Sequence, residues 1–167
     1  MKLYLLRHAI AVARGTPGFE VDSKRPLTPK GRRELFRIGE GMKALGLSFD
    51  LILSSPYLRA SQTAEVIAGV FDLNEKVELC DALSADAEPT ALIEEINTNF
   101  GDRQSVLSVG LEPYLSTLIS TLVAGRGDLS LPMKKGGLCK LTADRLRYGH
   151  CAKLDWLLAP KHLTRIR

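Results

Sequence analysis

Two arginines and one histidine in this sequence have the side chains needed to bind and transfer a phosphoryl group. Arg7 and His8 directly follow an apolar run in LYLLRHA, and Arg59 lies near the start of a helical pattern in LILSSPYLRASQTA. Arginine binds phosphate oxygens through a planar fork of N–H donors. A neutral imidazole is nucleophilic near neutral pH and can carry a phosphoryl group. These residues predict an anion site around His8 as nucleophile, with Arg7 and Arg59 as its cations.

Each of these segments has a simpler interpretation when it is taken alone. An Arg-His pair after a strand is often a surface feature, and SSPYLRA is also a well-capped helix start.

A third segment, SVLSVGLEPYLS, places Leu111 after another strand, at a position suited to a ligand-facing side chain. Ligands of open parallel sheets bind outside the carboxyl ends of the strands. The three segments are therefore expected to meet in one crevice, where a helix N-terminus would also favour an anion.

The elements that must position these residues alternate between strand and helix. Apolar runs predict strands over 2–6, 50–53, 76–79 and 105–109, and helical spacing predicts helices over 29–45, 56–70, 89–99 and 113–123. Thr28 and Ser55 are the expected N-caps of the first two helices, with Pro29 and Pro56 at their first positions. Residues 9–27 have no period and are expected to form a long loop, a kind of segment that is often functional.

The last part of the chain changes character. Residues 137–143 and 151–158 have the pattern of two strands joined as a hairpin. The whole pattern predicts an α/β fold with three layers, in which a mainly parallel sheet has helices on both faces and an antiparallel edge strand. The 167 residues are expected to form a single domain, 1–167.

Composition excludes several classes of protein. No apolar run reaches the roughly 18 residues of a membrane span, so no membrane association is expected. The three cysteines are scattered, as are His8, His150 and His162, which argues against a zinc site and favours a reducing cytoplasm. No cofactor is implied.

The net charge of +4 leaves two interpretations open. The basic residues gather after residue 133, and they could form a solvated surface with a basic tail, or a positive field that attracts an acidic or phosphorylated partner. Nucleic acid is not expected as a partner, because aromatic residues make up only 6% of the chain and none alternates with a basic stripe.

The motifs together resemble the histidine phosphatase superfamily and, within it, the small phosphohistidine phosphatases of the SixA type. RHA resembles the opening signature, RPLTPKG the segment leading into the first helix, SSPYLRASQTAE the second-arginine motif and VLSVGLEPYLS the segment written VGHEP in the family. The resemblance covers about residues 2–125. It implies that His8 is phosphorylated, that Arg7 and Arg59 hold the phosphate, and that Arg25 is a further contact at the edge of the pocket.

Leu111 departs from the family pattern, which has a second pocket histidine at this place. Leucine cannot donate a hydrogen bond, and removing one preorganised donor typically costs about 10²–10³ in rate. Three explanations are open: a weakened phosphatase, a protein that binds phosphate or phosphohistidine without turnover, or a replacement donor such as Lys135 or His150.

The resemblance also implies a substrate class. A phosphorylated protein carrying phosphohistidine, or a small phosphate ester, is the expected partner, and the sequence does not determine the oligomeric state. Asp81, Asp86 and Glu88 follow the third predicted strand, where larger members of the superfamily keep an acidic residue, although solvated surface carboxylates are the simpler interpretation. Phosphohistidine lessens the need for a general acid, because its P–N bond is labile.

Overall fold

The central feature of the fold is one mixed sheet of six strands. The computed structural model describes residues 1–166. Its strands are β1 (Lys2–Arg7), β2 (Leu51–Ser54), β3 (Val77–Leu79), β4 (Ser105–Gly110), β5 (Leu138–Ala143) and β6 (Ala152–Leu158). The order across the sheet is β3-β2-β4-β1-β5-β6. The first four strands are parallel, and the β5–β6 hairpin adds to β1 in antiparallel pairing.

Within the described residues, five α-helices cover the two faces of the sheet: α1 (Pro29–Ala44), α2 (Leu58–Phe71), α3 (Pro89–Asn99), α4 (Tyr114–Ala124) and α5 (Pro160–Leu163). Side chains of β1 alternate between the faces, as the two-residue period of a strand requires. Leu3 and Leu5 pack in the core under α3 and α4, whereas Tyr4 and Leu6 pack under α1, α2 and α5. The predicted three-layer α/β fold with its antiparallel edge is confirmed.

Helix α1 begins and packs as its sequence predicts. The Thr28 side chain accepts a hydrogen bond from Gly31 N at 3.0 Å, which caps the first turn. Leu35, Ile38 and Met42 are buried at spacings of three and four and form the stripe that faces the sheet. Gly31 lies so close to the chain after β1 that a Cβ there would be 2.1 Å from Ile10 O. The first turn of α1 therefore packs directly against the segment that follows His8.

Two local predictions are wrong or incomplete. Ser55 does not cap the second helix, and Pro56 is not its first residue, because α2 begins at Leu58 with Tyr57 as its N-cap. Ser55 instead extends the pairing of β2 with β4, because its backbone N donates to Val109 O at 2.9 Å. Helix α5 was not predicted at all, since four residues are too few to show a helical period. Within residues 1–166, no helix is long and apolar enough to cross a membrane.

Candidate active site

The carboxyl ends of β1, β2 and β4 meet at one edge of the sheet. Arg7 pairs with Gly110 in the register of β1 and β4, and His8 N donates to Gly110 O at 3.0 Å. Ser54 pairs with Val109 on the other side of β4. The ends of the three strands therefore bring the RHA, SSPYLRA and VGLEP segments together, as the parallel topology predicts.

His8 is buried, and its imidazole is held in one orientation. Its Nδ1 lies 2.7 Å from Ala9 O, and its Nε2 lies 3.3 Å from Nε of Arg59. A backbone carbonyl can only accept and the arginine Nε–H can only donate, so we assign the proton to Nδ1 and the lone pair to Nε2. Burial lowers the pKa of His8 to about 3, and the charges of Arg59, Arg7 and Lys135 act in the same direction. The imidazole is thus neutral at neutral pH, with the atom that could act as nucleophile facing Arg59.

Arg59 is positioned by the first turn of α2, where it is the second residue and only 5% exposed. Thr63, one turn later, donates to Arg59 O at 2.7 Å and accepts from Ala9 N at 3.1 Å. This hydroxyl joins the start of α2 to the residue after His8. The guanidinium also lies over the ring of Tyr57, with Cζ 5.2 Å from the ring centroid. Helix and ring together fix the fork beside the imidazole.

Asp22 is the residue of this site that sequence reasoning missed. Its carboxylate binds three arginines: Oδ2 accepts from Nη2 of Arg59 at 3.0 Å, and Oδ1 accepts from Nη2 of Arg25 at 2.7 Å and of Arg14 at 3.1 Å. Its carbonyl oxygen accepts from Nη1 of Arg59 at 2.8 Å. Burial alone would raise the pKa of Asp22, but hydrogen bonds and charge from Arg25 and Arg59 lower it to about 2. A carboxylate therefore occupies the arginine fork.

The predicted edge contact, Arg25, lies beside this carboxylate and holds the loop. Its Nε and Nη2 both donate to Asp22 Oδ1, at 3.0 and 2.7 Å, and its Nη1 donates to Val12 O at 2.6 Å. Arg25 therefore contacts Asp22, and any effect of Arg25 on a bound phosphate would act through this carboxylate. The only sequence signal for this arrangement is the spacing of Asp22 and Arg25, three residues apart in a loop between prolines.

Arg7 precedes His8 and is near enough for its charge to lower the pKa of His8. Its Nη1 donates to Met133 O at 2.8 Å, while its Nε is buried and has no hydrogen-bond partner among residues 1–166. Burial lowers the pKa of Arg7, and the nearby Glu112 carboxylate raises it. Buried donors in proteins are nearly always satisfied, so an orphaned guanidinium N–H suits an anionic ligand.

Leu111 stands where the motif predicts, directly after β4, with its side chain 1% exposed. It offers no donor to the site. Of the two proposed replacement donors, Lys135 is near enough to lower the pKa of His8. His150 lies instead against Gly125 at the far end of α4, next to the amino ends of the parallel strands. The structure therefore separates His150 from His8 and leaves Lys135 as the nearer cation.

The three acidic candidates are exposed and lie beyond β3. Asp86 and Glu88 line a cleft of about 240 Å³ together with Pro113, two residues after Leu111. In the part of the chain that the structure describes, no three His, Cys, Asp or Glu side chains are grouped so that they could hold a metal ion. The cations grouped at the site are arginine and lysine side chains.

Comparisons with known proteins identify the family of this chain. Residues 3–85 match the family model "Histidine phosphatase superfamily (branch 1)". An uncharacterized protein of Picosynechococcus sp. is 31% identical over 166 residues, which cover 98% of this chain and 99% of that protein. Phosphohistidine phosphatase SixA of Escherichia coli is 26% identical over 166 residues, or 98% and 96% of the two chains.

A solved structure shares the fold. The structure of the protein histidine phosphatase SixA complexed with tungstate superposes with a TM-score of 0.83 at 23% identity, and the alignment covers 98% of this chain and 99% of that one.

Proposed function

This chain belongs to the histidine phosphatase superfamily, and we propose that it is a phosphohistidine phosphatase that acts through a phosphoryl group carried on His8. The observation that carries the proposal is the state of the imidazole. Its Nδ1–H is held by Ala9 O at 2.7 Å, its pKa is lowered to about 3, and its Nε2 lone pair lies on the side of Arg59. A neutral, oriented imidazole is the form required for nucleophilic attack on phosphorus.

The first chemical step is phosphoryl transfer to the enzyme. His8 Nε2 attacks phosphorus, the P–N bond of the substrate breaks, and the departing imidazole takes a proton from solvent. Water then attacks phosphorus and releases inorganic phosphate from His8. Such transfers depend mainly on positioning and on neutralising charge at the equatorial oxygens.

Arg7 and Arg59 are the groups that would neutralise that charge. Arg7 has a buried Nε–H without a hydrogen-bond partner among residues 1–166, a donor that a bound phosphate oxygen would satisfy. Arg59 gives one N–H of Nη1 and one N–H of Nη2 to Asp22, so a phosphoryl group that takes these two donors displaces this acidic residue. Phosphate accepts bidentate bonds from arginine and carries more charge than a carboxylate, and both properties favour the exchange. The reaction as proposed uses no metal ion.

We assign phosphohistidine on a protein as the substrate class, with small phosphate esters as weaker substrates. The relative in Escherichia coli is named phosphohistidine phosphatase SixA, which supports this class. A protonated imidazole leaves readily from phosphorus. A site that supplies no acid to the leaving group therefore suits phosphohistidine better than it suits a phosphate ester.

Leu111 favours a second candidate function. A site that binds phosphohistidine without turning it over needs the arginines but not a second donor at the transferring group, and Leu111 supplies none. An adaptor of this kind would bind a phosphorylated protein stoichiometrically.

One experiment separates the two functions. The protein is incubated with a ³²P-labelled phosphohistidine protein, and both released phosphate and label on the enzyme are followed. A phosphatase releases phosphate in many turnovers and carries transient, acid-labile label that His8→Ala abolishes. An adaptor retains the phosphorylated protein and releases no phosphate. Turnover without any label on His8 would refute the covalent route.

A further inference from the structure

A groove with strong positive charge lies beside the active site, between α1, α5 and the loop before β5. We propose that this groove binds an acidic segment of the phosphorylated protein while its phosphoryl group is at His8, an inference that rests on the proposed function. We call it the basic groove and define it by Lys30, Arg33, Glu34, Arg37, Lys134 and Lys161. Its volume is about 430 Å³.

The groove accounts for the net charge of the protein. It contains five cations and one carboxylate, which equals the formal net charge of +4 of the whole chain. The remainder of the molecule is therefore balanced. All five cations are exposed, and within residues 1–166 none of them forms an ion pair with an acidic side chain. Uncompensated charge in a concave surface attracts ligands of opposite sign.

The cations are spaced along one face of α1. Lys30, Arg33 and Arg37 follow one another at intervals of three and four residues, which places them on the same side of the helix. Lys161 of α5 and Lys134 of the loop face them from the other wall. An extended acidic segment could therefore contact a cation at each turn of α1.

Close backbone packing fixes the walls of the groove relative to each other. A Cβ at Gly41 of α1 would be 1.9 Å from Leu163 O of α5, and one at Gly136 would be 2.7 Å from Ile38 Cδ1. At these points α1 lies directly against α5, and the loop lies against Ile38 of α1, so the walls of the groove are packed on one another in the folded protein. A preformed surface avoids part of the ordering cost of binding.

The groove and the active site share structural elements. The loop that carries Lys134 holds Arg7 from both sides, since Met133 O accepts from its Nη1 at 2.8 Å and Gly136 N donates to Arg7 O at 3.0 Å. At the opposite wall, Thr28 N donates to Ile10 O at 3.0 Å, two residues before Lys30 begins the groove. A chain whose phosphorylated residue reaches His8 would thus continue into the groove.

An acidic protein segment fits this surface better than a nucleic acid. The uncharged residues that line the groove are Ala159, Pro160 and Thr164, so it offers no aromatic ring on which a base could stack. Carboxylates need only the exposed lysine and arginine donors that are present. Small phosphate esters would not reach the groove, and they serve as an internal control.

The test compares two charge-reversal variants on two phosphohistidine peptides. The peptides carry the same phosphohistidine, followed by either four Glu or four Gln residues. The groove variant is Arg33→Glu with Arg37→Glu and Lys161→Glu. The matched control is Lys43→Glu with Lys76→Glu and Lys153→Glu, which changes the same charge at exposed positions outside the groove. An aryl phosphate reports His8 chemistry alone.

We expect the parent to prefer the Glu peptide by at least about tenfold in kcat/KM at low ionic strength, with the preference falling as salt rises. The groove variant should lose this preference and keep its kcat on the aryl phosphate, whereas the control variant should keep both. Equal kcat/KM for the two peptides in the parent, or equal loss in both variants, overturns the proposal.

Failure of the proposed function gives a different result. If the folded parent turns over neither peptides nor aryl phosphate, calorimetry with the unphosphorylated Glu peptide tests the groove directly. Binding that the groove variant loses and the control keeps supports the groove, and no binding overturns it. Tighter binding of a single-stranded oligonucleotide than of the Glu peptide would also overturn it.

Discussion

Asp22 holds Arg59 at two points: its Oδ2 accepts from Nη2 over 3.0 Å, and its carbonyl oxygen accepts from Nη1 over 2.8 Å. The third guanidinium nitrogen, Nε, lies 3.3 Å from His8 Nε2. The arginine therefore joins the nucleophile to a loop residue whose carboxylate has the charge sign of the substrate. Binding of phosphate and contact with Asp22 are alternatives at this fork.

We therefore expect Asp22→Asn to tighten binding of inorganic phosphate or tungstate by about three- to tenfold, or ~0.6–1.4 kcal/mol. The amide still accepts from Arg59 but no longer competes as an anion. Isothermal titration at fixed ionic strength measures the change. Asp72→Asn, at the other end of α2, is the matched control and should leave the dissociation constant unchanged. Weaker phosphate binding in Asp22→Asn would mean that Asp22 mainly orients Arg59.

Loss of the nucleophile and loss of the clamp should differ in their kinetics. His8→Ala is expected to abolish turnover of a phosphohistidine substrate, because in the proposed route His8 carries the phosphoryl intermediate. Arg59→Ala should weaken phosphate binding and also slow the reaction, since the arginine is expected to contact the phosphate oxygens in both the bound ground state and the transition state. Steady-state kinetics on both variants, with the exposed His162→Ala as control, test the two roles. Parent-like hydrolysis by His8→Ala would exclude covalent catalysis there.

Leu111→His is expected to raise kcat at least about tenfold, a gain of ~1.4 kcal/mol in transition-state stabilisation. The position follows Gly110 at the carboxyl end of β4, so an imidazole there could reach oxygens held by Arg7 and Arg59. The gain should appear in kcat more than in KM. Thermal unfolding provides the control, because the side chain replaced is buried. A folded variant with no gain would favour the adaptor function.

The His8 imidazole should remain neutral far below the usual pKa of histidine. Its pKa in the folded protein is lowered to about 3, so the unfolded chain, with a pKa of about 6.5, takes up the proton first. The contribution of His8 to the free energy of unfolding is therefore unaffected above pH 6.5 and falls as the pH drops toward 3. Nitrogen NMR of labelled histidine should show Nδ1 protonated and Nε2 unprotonated at pH 5. A titration midpoint near 6.5 for His8 would contradict the lowered pKa.

Two glycines in helices should respond oppositely to alanine. Gly31→Ala places a methyl group 2.1 Å from Ile10 O, so we expect a loss of about 2 kcal/mol or more in the free energy of unfolding, despite better helix propensity. Gly69→Ala in α2 has open space, with Asn74 Oδ1 4.0 Å away, and should stabilise by roughly 0.5–1 kcal/mol. Urea denaturation of both variants measures the difference. Equal effects would show that the chain after β1 shifts freely.

The parts of the fold that could be predicted are those that local physics determines. Apolar runs located β1 and β4, and the Thr28-Pro29 pair located the start of α1, because caps and buried stripes depend on neighbouring residues. The start of α2 was placed two residues early. Ser55 there continues the sheet pairing with Val109, a long-range contact that no local pattern records.

The candidate site divides in the same way. His8 and Arg59 follow strands whose parallel order brings them together, so their proximity could be inferred from topology. Asp22 could not be found, because its role depends on how the loop from 9 to 27 folds back across α2. The sequence does not determine at which end of the sheet the β5–β6 turn with His150 lies, because this depends on the direction in which β5 pairs with β1.

The placement of β1 has a consequence for how the site opens. This strand is paired on both sides, with β4 and with β5, and its side chains are buried in both cores. Amide hydrogens of such a strand exchange only through near-global opening, whereas loops open at much lower free energy. We therefore expect His8 to be attached to one of the most slowly exchanging strands and Asp22 to a segment that opens at lower free energy. Amide exchange should accordingly be faster around Asp22 than from Leu3 to Arg7.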